Sequence, residues 1–172
     1  MKHTFPIDSK LWADIDRNLN RALKDSKELI PLLLKAIAKT GVLTDCASWA
    51  AEAKTISAAK RYRETLLDAA QHWLLFAVSL GKPAKEVVDA IVTERDRQDA
   101  KWGVQGHTPD IWMVILGEEV GEVCQAVCKS SISPKEDSSW FPRIYEETVQ
   151  VLAVCQAAWE CGKRTKLWEL ES

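Results

Sequence analysis

The residues of this chain with the clearest capacity for chemistry are three glutamates, Glu118, Glu119 and Glu122, in the stretch ILGEEVGEVCQAV at residues 115–127. If this stretch is a helix, Glu119 and Glu122 fall on its apolar stripe and Glu118 lies on the flank of that stripe. Unpaired carboxylates are costly to bury, and two of them about 4 Å apart repel by roughly 4 kcal/mol at an effective dielectric constant of 20. These acids therefore need a compensating partner.

A second acidic position occurs on the apolar side of a later helical pattern. Glu147 shares one helix face with Ile144 and Val151. Gln150 lies beside this face, and no Lys or Arg occurs between residues 102 and 128 to pair with the first three acids. A hard divalent cation with oxygen ligands would neutralise such carboxylates, and Mg²⁺ would keep waters and reach outward to a phosphate. The alternative is a solvated acidic face on a surface helix, the usual meaning of clustered charge.

Helical spacing recurs along the chain and predicts the elements that must position these acids. Gly is scarce, at seven residues, and no stretch alternates apolar with polar residues for long enough to indicate a strand. We therefore predict an all-α fold, an antiparallel helical bundle with an additional N-terminal helical layer. Gly41 is predicted to end the second helix and Gly162 the last. Capping residues, prolines and glycines predict helices at about residues 9–24, 26–41, 44–54, 57–80, 83–101, 110–129 and 142–162.

The segment Gly81-Lys82-Pro83 is typical of a short hinge and indicates a domain boundary. We predict an N-terminal helical region over residues 1–83 and a second domain over residues 84–172. Residues 62–82 and 144–163 resemble each other, since both run from an aromatic residue and Glu-Thr to Gly-Lys. The first region is then either a degenerate repeat of the second or an added helical layer for oligomerisation.

Charge and hydropathy argue against several classes of partner. A net charge of −2 gives no electrostatic reason to expect a nucleic-acid partner or an anionic membrane. No apolar run reaches the roughly 18 residues that a membrane span needs, and MKHTFPIDSK lacks the apolar core of a signal peptide, which predicts a cytoplasmic protein. The five cysteines are then expected to be reduced core residues. His107 is expected to be a solvated loop residue.

The acidic motifs resemble those of the all-α nucleoside triphosphate pyrophosphohydrolases, the MazG-like superfamily, and in particular its small phage-type members, which are related to the all-α dUTPases. The family motif Glu-Glu-x-x-Glu is matched by EEVGE at residues 118–122, and the later motif Glu-x-x-Asp by ETVQ at residues 147–150, with Gln150 in place of Asp. The segment ERDRQDAKWGVQGH, residues 94–107, also resembles the approach to the first motif in that family. The resemblance covers about residues 85–163.

The resemblance implies an activity, a cofactor and a set of site residues. A (d)NTP would be cleaved between its α and β phosphates to (d)NMP and pyrophosphate, with Mg²⁺ as cofactor and Mn²⁺ as a substitute, in a homo-oligomer, dimer or tetramer. The family's metal ligands carry over to Glu119, Glu122 and Glu147, with Glu118 assisting a ligand or orienting water. Gln150, the fourth metal position, can coordinate through its amide oxygen but brings no charge. Gln150 therefore also favours the alternative, a non-catalytic helical module that binds a nucleotide, a metal or another protein.

Family precedent places the remaining substrate contacts on the helix before the acidic stretch. The candidates are Arg97, Gln98, Lys101 and Trp102. Lys101 would bind phosphate and Trp102 would stack on a base. The alternative for Trp102 is a packing residue that closes the following loop.

Overall fold

The computed structural model describes residues 29–132 and 140–169. Within these ranges the chain forms five α-helices, a short 3₁₀ helix and no β-strand, which confirms the prediction of an all-α bundle. The helix predicted over residues 9–24 lies outside the described residues. No helix in the described ranges is long and apolar enough to cross a membrane. The elements are α1 (Leu29–Ala53), α2 (Ile56–Ser79), α3 (Ala84–Trp102), α4 (Pro109–Ile132), α5 (Trp140–Arg164) and the 3₁₀ helix Leu167–Glu169.

Helices α1 and α2 form a layer that packs on α4 and α5. Leu43 of α1 and Trp73 of α2 are completely buried between the helices. The indole Nε1 of Trp73 donates a 2.9 Å hydrogen bond to Thr40 Oγ1, and the Thr40 hydroxyl donates to the Ala36 carbonyl at 3.0 Å. These buried polar groups therefore have hydrogen-bond partners, which offsets the free-energy cost of removing them from water.

The helix end predicted at Gly41 is wrong, because α1 runs without interruption from Leu29 to Ala53. Glycine in a helix interior costs about 1 kcal/mol relative to alanine. Buried residues on both sides of it, including Leu33 and Leu43, keep one continuous face toward the core. The burial of that face outweighs the local cost of one glycine.

Gly162 is also inside a helix, since α5 continues to Arg164 rather than ending two residues earlier as predicted. A Cβ atom added at Gly162 would lie 2.0 Å from Cζ2 of Trp168. The indole of Trp168 therefore packs directly on the backbone of α5, and its Nε1 donates to the Trp159 carbonyl at 3.0 Å. Gly162 permits a close approach instead of ending the helix.

The two helices that carry the acidic motifs, α4 and α5, pack against each other, and α3 packs on α5. Leu116 of α4 and Leu152 of α5 share the core with Trp73 of α2. The domain boundary predicted near residue 83 falls between α2 and α3, and the helices on either side of it contribute to this one core. The division into two domains stays a prediction.

The loop between α3 and α4 is tied to the end of α5. Arg164 Nη2 donates to the Gln105 carbonyl at 2.7 Å, and Cys161 Sγ donates to the His107 carbonyl at 3.5 Å. The His107 ring lies edge-on against Trp112, with ring centroids 4.9 Å apart, and its Nε2 is buried. The expectation of a solvated His107 is therefore wrong, because these contacts draw the loop inward.

Three of the five cysteines, Cys46, Cys155 and Cys161, are buried free thiols, in agreement with their expected role as small core residues. Burial raises the pKa of the Cys155 thiol to about 12, so it stays protonated at neutral pH. Cys128 is exposed on α4 and does not fit that expectation.

Candidate metal centre

Three carboxylates predicted as metal ligands converge where α4 meets α5. Glu119 and Glu122 lie three residues apart on α4 and so share one face, and Glu147 faces them from α5. One oxygen from each of the three lies within 4.8 Å of the oxygens of the other two. We call Glu119, Glu122 and Glu147 the acid cluster.

The acid cluster has the chemistry and nearly the dimensions of a divalent cation site. Mg²⁺ binds oxygen at 2.0–2.1 Å, so two ligands on opposite sides of the ion are about 4.2 Å apart. The observed limit of 4.8 Å exceeds this by a few tenths of an ångström, which small rotations of the exposed Glu122 and the partly exposed Glu119 side chains can close. Carboxylate oxygens are the ligands that Mg²⁺ and Mn²⁺ prefer. These residues therefore fit a hard divalent cation.

The electrostatics of Glu119 reflect crowding by like charge. Burial, followed in order of importance by the charges of Glu122, Glu118, Glu147 and Glu94, raises the pKa of Glu119 to about 7. Each neighbouring negative charge disfavours ionisation of Glu119. At neutral pH Glu119 is therefore about half protonated when no cation is bound to the acid cluster.

Glu147 is the most buried member, with 5% of its surface exposed. Its Oε2 accepts a 2.7 Å hydrogen bond from Gln150 Nε2, and its Oε1 pairs with Arg143 Nη2 at 3.1 Å. Burial, a hydrogen bond with Glu122 and the charge of Glu122 raise the pKa of Glu147, while Arg143 opposes the shift. Gln150, predicted as a fourth ligand, contacts Glu147 here and holds its carboxylate in place.

Glu118 and Glu122 differ in their relation to the predicted stripe on α4. Glu118 is exposed on the flank, as predicted, and lies outside the acid cluster while still acting on Glu119 through its charge. Glu122 is exposed, although the spacing placed it among buried residues. The buried face of α4 is displaced from the predicted stripe, because Met113 and Val127 are buried beside Leu116 and Val123.

A groove of about 450 Å³ lies beside the acid cluster, between α3 and α5. This volume is within the usual range for small-molecule sites. Two of its residues reach the cluster: Gln150 bonds to Glu147, and Glu94 acts on Glu119 through its charge. Polar or aromatic side chains that line the groove are Thr93, Glu94 and Arg97 from α3, and Tyr145, Glu146 and Gln150 from α5.

Among the predicted substrate contacts, Arg97 lies in this groove and Gln98 does not. Arg97 Nε and Nη2 donate to the two carboxylate oxygens of Glu94, both at 2.7 Å, and half of the Arg97 side chain is exposed. Gln98 is buried, donates from Nε2 to Glu94 at 3.0 Å and accepts from Arg95 Nη1 at 2.7 Å. Gln98 therefore holds Glu94 and Arg95 rather than facing the groove.

Lys101 and Trp102 lie at the end of α3 and are not part of the groove lining. The Lys101 Nζ is 4.4 Å from the centroid of the Trp102 ring, and Trp102 is 51% exposed. This geometry is a cation–π contact at the surface. It does not bring either residue to the acid cluster.

Four residues of the site region were not singled out from the sequence. Glu94 and Tyr145 line the groove and Arg143 pairs with Glu147. Buried Arg95 joins α3 to α5 through Glu160, with 3.5 Å between Nη2 and Oε2. The spacing of four between Arg143 and Glu147 could have indicated their pairing. Arg95 follows Val87 and Ile91 at intervals of four, which could have indicated that it shares their buried face.

Comparisons of the chain with protein-family models, with curated proteins and with solved structures find no significant match. The functional argument therefore rests on the acid cluster, on the groove beside it and on the motif resemblance described above.

Proposed function

We propose that this protein is a Mg²⁺-dependent nucleoside triphosphate pyrophosphohydrolase that converts a (d)NTP and water to (d)NMP and pyrophosphate. The observation that carries the proposal is the acid cluster: three carboxylates from two helices lie within 4.8 Å of one another, beside a groove of about 450 Å³. The resemblance of residues 118–122 and 147–150 to the motifs of that enzyme class supports the same activity. Water is the only co-reactant that this reaction needs.

The acid cluster would hold the cation through Glu119, Glu122 and Glu147. When bound, a divalent cation would neutralise phosphate charge and lower the pKa of the attacking water. Arg143 and Gln150 would keep Glu147 oriented toward its neighbours, since they already bind both of its oxygens. Glu118, exposed beside Glu119, would orient a water molecule.

The groove would hold the nucleotide, with its phosphates toward the acid cluster. Arg97 supplies a guanidinium suited to phosphate oxygens, which Glu94 holds at the groove wall in the absence of an anion. Tyr145, half-buried at the same wall, offers a ring face on which a base can stack. Arg97 is thus the one predicted substrate contact that the groove supports.

The proposal extends to the assembly and location of the protein. We expect a homo-oligomer in the cytoplasm, with a small nucleotide as partner and neither nucleic acid nor membrane. Val114 is 71% exposed and Ile111 44% exposed on the outer side of α4. Such apolar residues would gain from burial against a second copy. Light scattering of the purified protein would give its mass in solution.

The decisive experiment is product analysis after incubation of the full chain with each common NTP and dNTP and Mg²⁺. We expect monophosphate and pyrophosphate. The double variant Glu119→Ala/Glu122→Ala should lose at least about 100-fold in rate, because it removes two of the three charges that hold the cation. Glu52→Gln, which removes an exposed acid of α1 far along the chain from the cluster, is the matched control and should keep the rate.

Other outcomes would contradict the proposal. Diphosphate and phosphate as products would mean that a different bond is cleaved. No turnover by the folded protein with either Mg²⁺ or Mn²⁺ would favour the second candidate, a non-catalytic helical module. Gln150 is the observation behind that candidate, because an amide stands where the enzyme class has an acid and its nitrogen is bonded to Glu147. Titration with Mn²⁺ separates a metal-binding module from one without a saturable, acid-dependent site.

A further inference from the structure

A second cavity, of about 220 Å³, lies near the start of α4. Trp112 lines it and precedes Glu119 by seven residues, which is about 10 Å along a helix axis. The remaining walls come from α2, the loop before α4, the end of α5 and the 3₁₀ helix. None of the residues that line this cavity is an Asp, Glu, Lys or Arg. The cavity is therefore distinct from the acid cluster and the groove.

Three polar groups around this cavity have no hydrogen-bond partner among the described residues. They are the hydroxyl of Tyr62, Nε2 of His107 and Nε1 of Trp112, each carried by a residue that lines the cavity. Tyr62 is 1% and Trp112 2% exposed, so solvent does not satisfy them. A buried polar group without a partner costs about 1–3 kcal/mol. Their grouping around one cavity points to an occupant that supplies the missing partners.

Three of the ten residues that line the cavity, Tyr62, His107 and Trp112, carry aromatic rings that contact other rings. The rings of His107 and Trp112 meet edge to face, at an angle of 74°. The Tyr62 ring lies 5.6 Å from the ring of Trp168, which is held against Gly162 with no room for a side chain between them. Ring contacts therefore hold the aromatic side chains of the cavity lining in place.

We propose that this cavity binds an uncharged heteroaromatic ring that carries hydrogen-bond acceptors. An apolar cavity of roughly 150 Å³ holds benzene, so about 220 Å³ accommodates a single or fused ring with polar substituents. The absence of charged side chains from the lining disfavours an ion, which would lose its hydration without a counter-charge. The Trp112 indole can only donate a hydrogen bond, whereas Tyr62 and His107 can donate or accept.

The ring could arrive as a free base or as the base of a nucleotide, and both present the same acceptor groups, carbonyl oxygens and ring nitrogens. This inference does not rest on the proposed hydrolase activity. The cavity uses none of the residues of the acid cluster or of the groove. A protein without any hydrolase activity would still bind the ring.

The test is a titration of ¹⁵N-labelled full-length protein with uracil, cytosine and adenine, followed through the indole N–H resonances of its tryptophans. Trp112→Phe identifies the Trp112 resonance by its loss. We expect at least one base to shift that resonance saturably, as the N–H gains an acceptor. Tyr62→Phe removes one hydroxyl and preserves the ring, and should weaken the binding about tenfold. Glu119→Gln should leave the binding unchanged, since it alters only the acid cluster.

Benzene and the corresponding nucleoside triphosphates complete the design. If only the triphosphates shift the Trp112 resonance and Tyr62→Phe weakens their binding, the inferred ring is the base of a nucleotide and the inference holds with that source. If Tyr62→Phe leaves their binding unchanged, the triphosphate binds in the groove and the inference fails. If benzene shifts it as strongly as the bases do, acceptor groups play no part and the inference fails. If no heteroaromatic probe shifts it while the Trp112 N–H exchanges protons with water, the cavity holds water only and the inference is overturned.

Discussion

At the scale of single residues, Gln150 defines the chemistry of the acid cluster. Its amide nitrogen bonds to Glu147, which is already paired with Arg143, so one carboxylate of the cluster is held from two sides. An acid at this position would add repulsion of roughly 4 kcal/mol per close pair at an effective dielectric constant of 20. Because Gln150 is an amide, the metal-free protein does not experience this repulsion. A bound cation would, for the same reason, have one anionic ligand fewer.

Replacing the Gln150 amide with an acid tests both effects, the repulsion in the metal-free protein and the charge offered to a cation. Gln150→Asp should lower the melting temperature of the metal-free protein, because it adds a charge beside Glu147. It should also tighten Mn²⁺ binding about tenfold, because one more anionic ligand is in reach. Calorimetric titration and thermal unfolding measure the two effects. Equal Mn²⁺ affinity in both proteins would show that the side chain at position 150 does not reach the ion.

The raised pKa of Glu119 predicts how stability depends on pH. Between pH 4.5 and about 7 the folded metal-free protein binds more protons at Glu119 than the unfolded chain does, so its stability falls as pH rises through this window. We expect a loss of only about 1–2 kcal/mol, since Glu119 is half exposed and water screens its charge. Denaturant unfolding at several pH values measures the slope. In Glu119→Gln the slope should flatten, and an unchanged slope would assign it to another group.

The affinity for metal should also depend on the ionisation of Glu119, but it should rise with pH where the stability of the metal-free protein falls. Because the cation competes with the proton on Glu119, Mn²⁺ binding should weaken by up to about tenfold for each pH unit below 7. Titrations at pH 6, 7 and 8 measure this dependence. A constant affinity over that range would mean that Glu119 is not a ligand.

At the scale of helices, two glycines with the same secondary structure have different surroundings. Apart from the adjacent backbone of α1 itself, no atom lies within 4 Å of a Cβ added at Gly41, whereas a Cβ added at Gly162 in α5 would meet the Trp168 indole at 2.0 Å. Helix propensity favours alanine at both positions. Only the packing around them differs.

Alanine substitutions at these two positions should therefore have opposite effects. Gly41→Ala should raise the free energy of unfolding by about 0.5–1 kcal/mol. Gly162→Ala should lower it by about 1–3 kcal/mol, because Trp168 must leave its place on α5. Urea unfolding of both variants measures the difference. Stabilisation by Gly162→Ala would mean that the indole does not pack there in solution.

At the scale of the whole molecule, a bound cation should stabilise the fold. At a free Mn²⁺ concentration about 100 times its dissociation constant, ligand binding to the folded state alone adds about 2.7 kcal/mol to the free energy of unfolding. The Glu119→Ala/Glu122→Ala variant should gain none of this, while Glu52→Gln should gain all of it. Thermal unfolding with Mn²⁺ and with a chelator gives the comparison. Equal stabilisation of the double variant would place the ion elsewhere.

Helical periodicity predicts the long helices and places Glu119 and Glu122 on one face of α4 and Glu147 on the inner face of α5. The packing of α4 on α5, which periodicity does not specify, brings the three acids together. Propensity alone misplaces the helix ends at Gly41 and Gly162, since burial of a continuous face in one case and an indole contact in the other decide the outcome. The oligomer, the cofactor and the activity stay predictions.

The groove and the second cavity could not be predicted from local spacing. Arg95 is buried because α3 lies on α5, and His107 is drawn inward by Trp112 and the end of α5. Periodicity places Arg95 on the face of Val87 and Ile91, but its contact with Glu160 and the contact of His107 with Cys161 join residues far apart in the chain, which periodicity does not encode. The exposure of Glu122 has a similar origin, since the helices that pack on α4 determine which of its sides is buried.

All three acids of the cluster come from α4 and α5, which follow one another in the chain. Such a helix pair closes over a short sequence separation, and local contacts of this kind tend to form before distant ones during folding. The repulsion among the acids is then already present in the transition state for folding. Neutralising Glu119, by the change to Gln or by acid, should accelerate folding while leaving the unfolding rate nearly unchanged. Stopped-flow measurements of both rates would show whether the acids slow the first pairing of the two helices.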